Sequence, residues 1–482
     1  MPSTSRSAIA VCTAGAAWMI ALSTSAIAAD WTQFRGPGGR SLGSGQPPVV
    51  FGAETNLAWK VELPPGNSSP ILWGDRILLT ATTDAGLTTL CLRRSDGGEL
   101  WRRSVKPAAL EPTHRLSNPS TPTPVADADR VYCYFGSFGV IAYDRDGNEV
   151  WKHPLPAPVV EFGTSASPVR EGDLLILVRD QDSGSHLLAL KASDGTQVWR
   201  TERPEFRRSF ATPLVWEHDG TRELIVPGSI WLKSYDPATG KENWTVSGTS
   251  RVATSSPAVG DGLLFTASWN VGGDPDDRIS MEPFETTAQK YDQNKDGRFT
   301  TQELPEGPVR QRFSQMDLDK DGFVTAEEWE TMRAMFAKAG NAVLAIRPGG
   351  KGEITSTHLA WKVTRSLPYV SSPLYYDGRV YTMKNGGLAS CYDAKTGKPF
   401  YQDQRVGVGS DFYSSAIGVD GKIYIASQTG TVIVLKSGDT FEVLSRNTLG
   451  EEVFATPAIV DGNLVLRSAR HLWSFQSRQD TR

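Results

Sequence analysis

Short apolar runs alternate along most of the chain with polar turns rich in Gly and Asp, as expected for short strands rather than long helices. Eight segments share one pattern: small hydroxylated residues, usually a proline, an apolar stretch, a turn, and a second apolar run. Examples are SSPILWGDRILLT, SSPAVGDGLLFTA and ATPAIVDGNLVLR. The marking residues Pro70, Pro124, Pro168, Pro213, Pro257, Pro373, Ala416 and Pro457 are spaced by 54, 44, 45, 44, 116, 43 and 41. A period near 44 is the length of a four-stranded propeller blade.

Each repeat continues with a third strand, a polar turn and a fourth strand that usually carries Trp, as in LRRSDGGELW and KASDGTQVW. Trp101, Trp151, Trp199, Trp244 and Trp361 thereby share one position, with Tyr401 substituting in the next repeat. An aromatic at fixed phase in a repeat packs between neighbouring units. The last repeat ends at HLWSFQ without a fourth strand, whereas Trp59 in NLAWKVELP precedes Pro70 by 11 residues, much as Trp361 precedes Pro373 by 12. The spacing predicts that residues 57–63 pair with the strand around His471 to Phe475, closing the ring and removing its free edge.

The interval from Pro257 to Pro373 exceeds one period by about 70 residues, which places an insert at 272–340, between the second and third strands of blade five. A hairpin tip on the ring's edge tolerates such an addition. The insert contains YDQNKDGRFTTQEL and MDLDKDGFVTAEEW. A calcium loop of the helix-loop-helix type needs oxygen ligands at positions 1, 3, 5, 7, 9 and 12, with Gly at 6. Loop one supplies Asp292, Asn294, Asp296, the Arg298 carbonyl, Thr300 and Glu303 around Gly297. Loop two supplies Asp317, Asp319, Asp321, the Phe323 carbonyl, Thr325 and Glu328 around Gly322. Two calcium sites are expected, with Phe299 and Val324 joining the loops by a short β-bridge. Helices are predicted over FETTAQKY, PVRQRFSQM and AEEWETMRAMFAKAG, and Pro305 cuts short the exit helix of loop one.

Charge changes the picture only locally. The net charge of −4 leaves no nucleic-acid footprint, but residues 274–338 hold 15 acidic against 9 basic residues, a concentration that cations would relieve. The first 29 residues have one Arg, an apolar run and small residues before Asp30, the layout of a cleaved secretory signal. A periplasmic or extracellular protein is therefore expected, with no transmembrane segment in the mature chain. Cys91, Cys133 and Cys391 then remain. Three thiols allow at most one disulfide, and their apolar contexts favour small buried hydrophobes.

The SSP and DGR patterns with turns such as YDAKTGKPF resemble the pyrroloquinoline-quinone-like (PQQ-like, quinoprotein-like) β-propeller repeat family. Its members include quinone-dependent alcohol dehydrogenases and an outer-membrane β-barrel assembly lipoprotein. The opening DWTQFRGPGG also resembles secreted bacterial members. The resemblance implies an all-β, eight-bladed β-propeller, here closed by an N-terminal strand, with a small α-helical EF-hand insert in blade five. The chain divides into a leader (1–29), the propeller's first part (30–271), the insert (272–340) and its second part (341–482).

The segments entering each innermost strand line one mouth of the central channel. They bring His114, Arg115, Glu161, Arg207, Arg208, Arg251, Tyr369, Asp411, Tyr413 and Glu452 toward one region, which suits a small anionic ligand or a protein. The resembled dehydrogenases place a vicinal disulfide against the quinone. This chain has no adjacent Cys pair, and GxSxG and HExxH are absent. A monomeric calcium-binding scaffold or binding module is thus the leading expectation. A PQQ-dependent oxidoreductase and an outer-membrane assembly factor are the alternatives, the latter lacking a lipoprotein cysteine.

Overall fold

The structure, a computed structural model, describes residue 1 and residues 30–274, 276 and 278–477. The expected leader from residue 2 to residue 29, with Cys12, lies outside the described residues. Eight antiparallel sheets follow one another around a ring, at residues 71–105, 125–154, 169–202, 214–247, 258–363, 374–405, 417–448 and 458–475. Seven are four-stranded blades, the last of them completed by Leu57–Glu62, and the fourth carries a fifth strand. The blade count and the strand positions of the Trp repeats match the sequence pattern.

The core lies between blades, and one strand shows why. In Arg130–Phe135, Val131, Cys133 and Phe135 join the cluster shared with blade one, while the alternate Tyr132 and Tyr134 join the cluster shared with blade three. Because both faces are buried, the strand is continuously apolar. Cys91, Cys133 and Cys391 are free and buried in such clusters, the last of them between blades six and seven, and burial pushes each thiol up to about 12.

The repeated Trp and the turn glycine form one device. The indole N–H groups of Trp101, Trp151 and Trp361 donate to the carbonyls of Arg145, Ala192 and Ala394 in the next blade, each at 2.9 Å. Gly147 lies under Trp101 with φ +77°, and a Cβ there would stand 2.6 Å from the indole. That turn position requires glycine both for its backbone conformation and for space. Trp244 departs from the rule and donates to Glu223 Oε1 at 2.9 Å within its own blade. The following blade carries the insert, and its last turn is irregular. Gly352–Glu353 leaves it to pair in parallel with Trp244 and Thr245 as a fifth strand of blade four.

The ring closes as the spacing predicts. Leu57–Glu62 pairs antiparallel with His471–Phe475, with Trp59 opposite Ser474 and Glu62 opposite His471. Arg467, 1% exposed, reinforces the seam by donating to Thr80 O at 2.7 Å and Ser68 Oγ at 3.0 Å in blade one. No helix among the described residues is long and apolar enough to cross a membrane.

Blade five runs from Leu263–Ser268 directly into a small helical lobe and resumes at Ala342–Ile346. The lobe holds helices Phe284–Tyr291 and Ala326–Lys338, joined by the one-turn helix Phe313–Met316. Residues 301–304 are turns, so the exit helix of loop one is missing where Pro305 was expected to stop it. Phe299, Trp329, Met332 and Phe336 form the lobe's core together with Ile230, and Trp231 packs against it. These last two belong to blade four. The lobe thus emerges at the hairpin of blade five that the spacing predicts and packs against blade four. Spacing locates the hairpin that carries an insert but not the direction in which it folds, and here two apolar residues of the neighbouring blade anchor it.

Candidate functional site

A cavity of about 390 Å³ lies on the ring's axis, lined by residues from every blade. Its wall begins with the hydroxylated residue that precedes each marking position. Ser69 N donates to Thr123 Oγ1, Thr123 N to Ser167 Oγ and Ser167 N to Thr212 Oγ1, each at 3.0 Å. Thr212 N continues to Ser256 Oγ and Ser256 N to Ser372 Oγ, also at 3.0 Å. Ser372 N to Ser415 Oγ at 3.3 Å, Ser415 N to Thr456 Oγ1 at 2.9 Å and Thr456 N to Ser69 Oγ at 3.0 Å close the circle. A hydroxyl is needed at this place in every repeat because a buried N–H of the preceding blade needs an acceptor. The repeat's most regular sequence feature is thus also the collar of the channel.

The floor comes from the N-terminal segment. Trp31 exchanges two backbone hydrogen bonds with Leu72, Thr32 accepts from Ala126 N, and Ser44 accepts from Gly462 N at 2.8 Å, so residues 31–44 strap across one face of the ring. At its centre Arg35, 1% exposed, donates to the carbonyls of Pro257 and Pro373 at 2.7 Å each and to Ser41 Oγ at 2.7 Å. Burial without a carboxylate partner pushes this guanidinium down to about 9. Phe34 beside it lines the cavity. The channel is therefore a cup, closed below by the strap. The sequence DWTQFRGPGG carried the signal as a dense run of Trp, Phe, Arg, Gly and Pro, but its role could not be read without the ring.

Of the ten expected mouth residues, His114, Arg208, Arg251, Tyr369 and Tyr413 line the cup. The others do not. Arg115 and Glu452 are exposed, Asp411 accepts from the Tyr413 hydroxyl at 3.3 Å, and Arg207 is 6% exposed beneath the mouth. Phe162, Phe210 and Phe454 complete an aromatic wall that was not singled out. Phe210, Tyr413 and Phe454 each stand three residues ahead of a marking position, a regularity visible in the sequence.

Charge at the mouth is unevenly paired. Arg208 grips Asp182 through Nη2 to Oδ2 at 2.9 Å and Glu161 through Nη1 at 3.0 Å. Arg207 Nη2 and Lys320 Nζ each approach the same fully buried Asp182 carboxylate at 3.6 Å. Lys320 belongs to loop two of the lobe. Arg251 instead donates to Gln315 Oε1 at 2.9 Å, on the lobe's one-turn helix. Burial first, then the like charges of Arg312 and Arg208, push Arg251 down to about 10.

Both EF-type loops have the geometry their sequences demand. Lys295 and Lys320 adopt φ of 58° and 64°, and the N–H groups of Gly297 and Gly322 donate to Asp292 Oδ2 at 3.0 Å and Asp317 Oδ2 at 3.1 Å. The bridge forms between Phe299 and Val324. Glu303 and Glu328 each accept from the backbone N–H of Thr300 and Thr325 at 2.8 Å. Carboxylate oxygens of Asp317, Asp319 and Asp321 lie within 4.8 Å of one another. The remaining oxygens of the two position-one residues, Asp292 Oδ1 and Asp317 Oδ1, are buried without a hydrogen-bond partner. Such an orphaned carboxylate oxygen fits a cation as its missing partner.

Comparison with known proteins places this architecture. Residues 49–226 match the family model described as outer membrane protein assembly factor BamB, and residues 309–332 match the EF hand. The fold and the repeats define an eight-bladed β-propeller with an inserted EF-hand. BamB from Moraxella catarrhalis is similar with a TM-score of 0.54 and 13% identity, covering 86% of this chain and 98% of that chain. The computationally designed Ika8 protein gives 0.53 and 9%, covering 87% and 99%. A quinohemoprotein alcohol dehydrogenase from Pseudomonas putida gives 0.40 and 10%, covering 93% and 80%. The first two likenesses show the propeller fold. No curated protein matches the chain.

Proposed function

We propose that this protein is a periplasmic or extracellular binding module, exported by cleavage of residues 1–29, which holds a partner or small anionic ligand in the cup. The observation that carries this reading is a blind, aromatic-walled channel with Arg251 at its rim. Aromatic walls and a guanidinium favour recognition by stacking and charge. Residues 272–340 act as a calcium-loaded lobe with two sites. Loop one uses Asp292, Asn294, Asp296, the Arg298 carbonyl, Thr300 and Glu303. Loop two uses Asp317, Asp319, Asp321, the Phe323 carbonyl, Thr325 and Glu328. Calcium is structural in this account, since extracellular modules with Kd of about 10⁻⁴ to 10⁻³ M stay loaded.

The family match of residues 49–226 supports a narrower form of the same reading, a scaffold for envelope proteins like the assembly factor. Capture from envelope extract tests it, using the parent and Phe162→Arg, which fills the cup. A partner held by the parent and lost by the variant is expected. Capture that ignores the variant would place binding on another surface.

A further inference from the structure

The two calcium-type loops are seated differently. Among the described residues, no hydrogen bond or ion pair joins loop one, residues 292–303, to the propeller. Loop two is held at the mouth from both sides of Asp317. Two residues before it, Gln315 Oε1 accepts from Arg251 Nη1 at 2.9 Å, and three residues after it, Lys320 Nζ stands 3.6 Å from the buried Asp182 carboxylate that Arg208 grips. Arg251 and Arg208 both line the cup. A third link reaches the far end of the loop. Arg207 is buried with Nε and Nη2 lacking a hydrogen-bond partner, and the Glu328 carboxylate attracts it. Asp317 and Glu328 are correspondingly buried, whereas Asp292 and Glu303 are half-buried.

We propose that loop two, and not loop one, positions the guanidinium groups of the cup, so that a cation held in this loop orders the mouth. The inference rests on the reading of the lobe as calcium-loaded and gives one of its two sites a task in the cup. The carboxylates of Asp317, Asp319 and Asp321 lie within 4.8 Å of one another, and a cation relieves their repulsion. The loop's turn is then fixed, and with it the positions of Gln315 and Lys320 on either side. Gln315 sets the direction of Arg251, and Lys320 helps to hold the carboxylate that orients Arg208. Calcium stays structural in this scheme, and what it supports is the binding surface itself.

Hydrogen exchange of the full chain read by mass spectrometry, in EGTA and in millimolar calcium, tests the proposal. Calcium should slow exchange at residues 180–183, 206–209 and 250–254 of the propeller, as well as in the lobe, by at least about fivefold, the lower end of coupling between sites. Asp321→Ser, at an exposed ligand position of loop two, should abolish the effect on the propeller. Asp296→Ser in loop one should leave it, at calcium that saturates the remaining site. Gln315→Ala should lose the effect at 250–254 alone while both calcium-binding heats persist in isothermal titration. Protection confined to residues 284–338, or propeller protection lost equally with Asp296→Ser, would overturn the inference while leaving a calcium-binding lobe. Absence of both heat and protection at millimolar calcium would overturn the inference and the two calcium sites together.

Discussion

Trp59→Ala, taken alone and with Gly97→Ala, probes ring closure where it is most vulnerable. Trp59 lies on the N-terminal strand, yet its indole N–H donates to Arg94 O in blade one at 3.1 Å. The ring also stands over Gly97, where a Cβ would come within 2.8 Å. Its equivalents Trp101, Trp151, Trp199 and Trp361 are 7–8% exposed, but Trp59 is only half-buried. A buried Trp→Ala change costs about 3–5 kcal/mol, so about 2–3 kcal/mol is expected here, of which the hydrogen bond accounts for about 1 kcal/mol. Gly97→Ala meets a strained backbone, the Trp59 indole and, also at 2.8 Å, Val61 Cγ1. Its φ of +75° costs an L-residue about 1–2 kcal/mol, and the clash with the indole adds a similar amount. Removing the indole relieves only the second. The double variant should therefore be less destabilised than the sum of the singles by about 1–2 kcal/mol in urea unfolding followed by circular dichroism. Additivity within about 0.3 kcal/mol would show that Trp59 does not rest on Gly97, and the closure described here would be wrong.

Four further outcomes are expected. Glu328→Gln should weaken one of two calcium-binding events in isothermal titration and spare the other, because the position-twelve carboxylate supplies two ligand oxygens. Asp182→Asn should destabilise the fold by about 3–5 kcal/mol in chemical denaturation, since it strips a fully buried carboxylate from Arg208 and its neighbours Arg207 and Lys320. Replacing residues 272–340 by a short Gly-containing turn should leave a folded all-β protein by circular dichroism. It should also bind a hydrophobic dye, because Ile230 and Trp231 lose the lobe that covers them. In a chain beginning at Asp30, Cys91, Cys133 and Cys391 should resist a thiol reagent at pH 8 until the protein is unfolded, because burial holds all three as thiols.

The ring was legible because its rules are local and repeated. A hydroxyl before a proline, a Trp in the fourth strand and a glycine turn recur at fixed phase, and, Trp244 apart, each makes the same kind of contact with the next blade. Closure by residues 57–63 was legible for the same reason, since Trp59 keeps the phase of Trp361. The EF-type loops were legible because every candidate ligand lies within one short segment. What escaped the sequence joins distant segments once only. Arg35 meets the carbonyls of Pro257 and Pro373 more than 200 residues away, and no repeat announces the pairing. The lobe's seat likewise depends on Ile230 and Trp231, which in the sequence look like ordinary strand residues. Arg207 was placed at the mouth with Arg208. Adjacent residues diverge in the structure, so Arg208 reaches the cup while Arg207 turns beneath it toward Asp182.

Reconstitution with pyrroloquinoline quinone and calcium tests the central claim most directly, because it sets the binding module against the oxidoreductase in one sample. After gel filtration, the absorption spectrum reports retained quinone, and dye-linked oxidation of simple alcohols and sugars reports turnover. The account predicts retained calcium, no stoichiometric quinone and no dye reduction above background. Stoichiometric quinone that survives gel filtration and reduces the dye with an alcohol or sugar would contradict it.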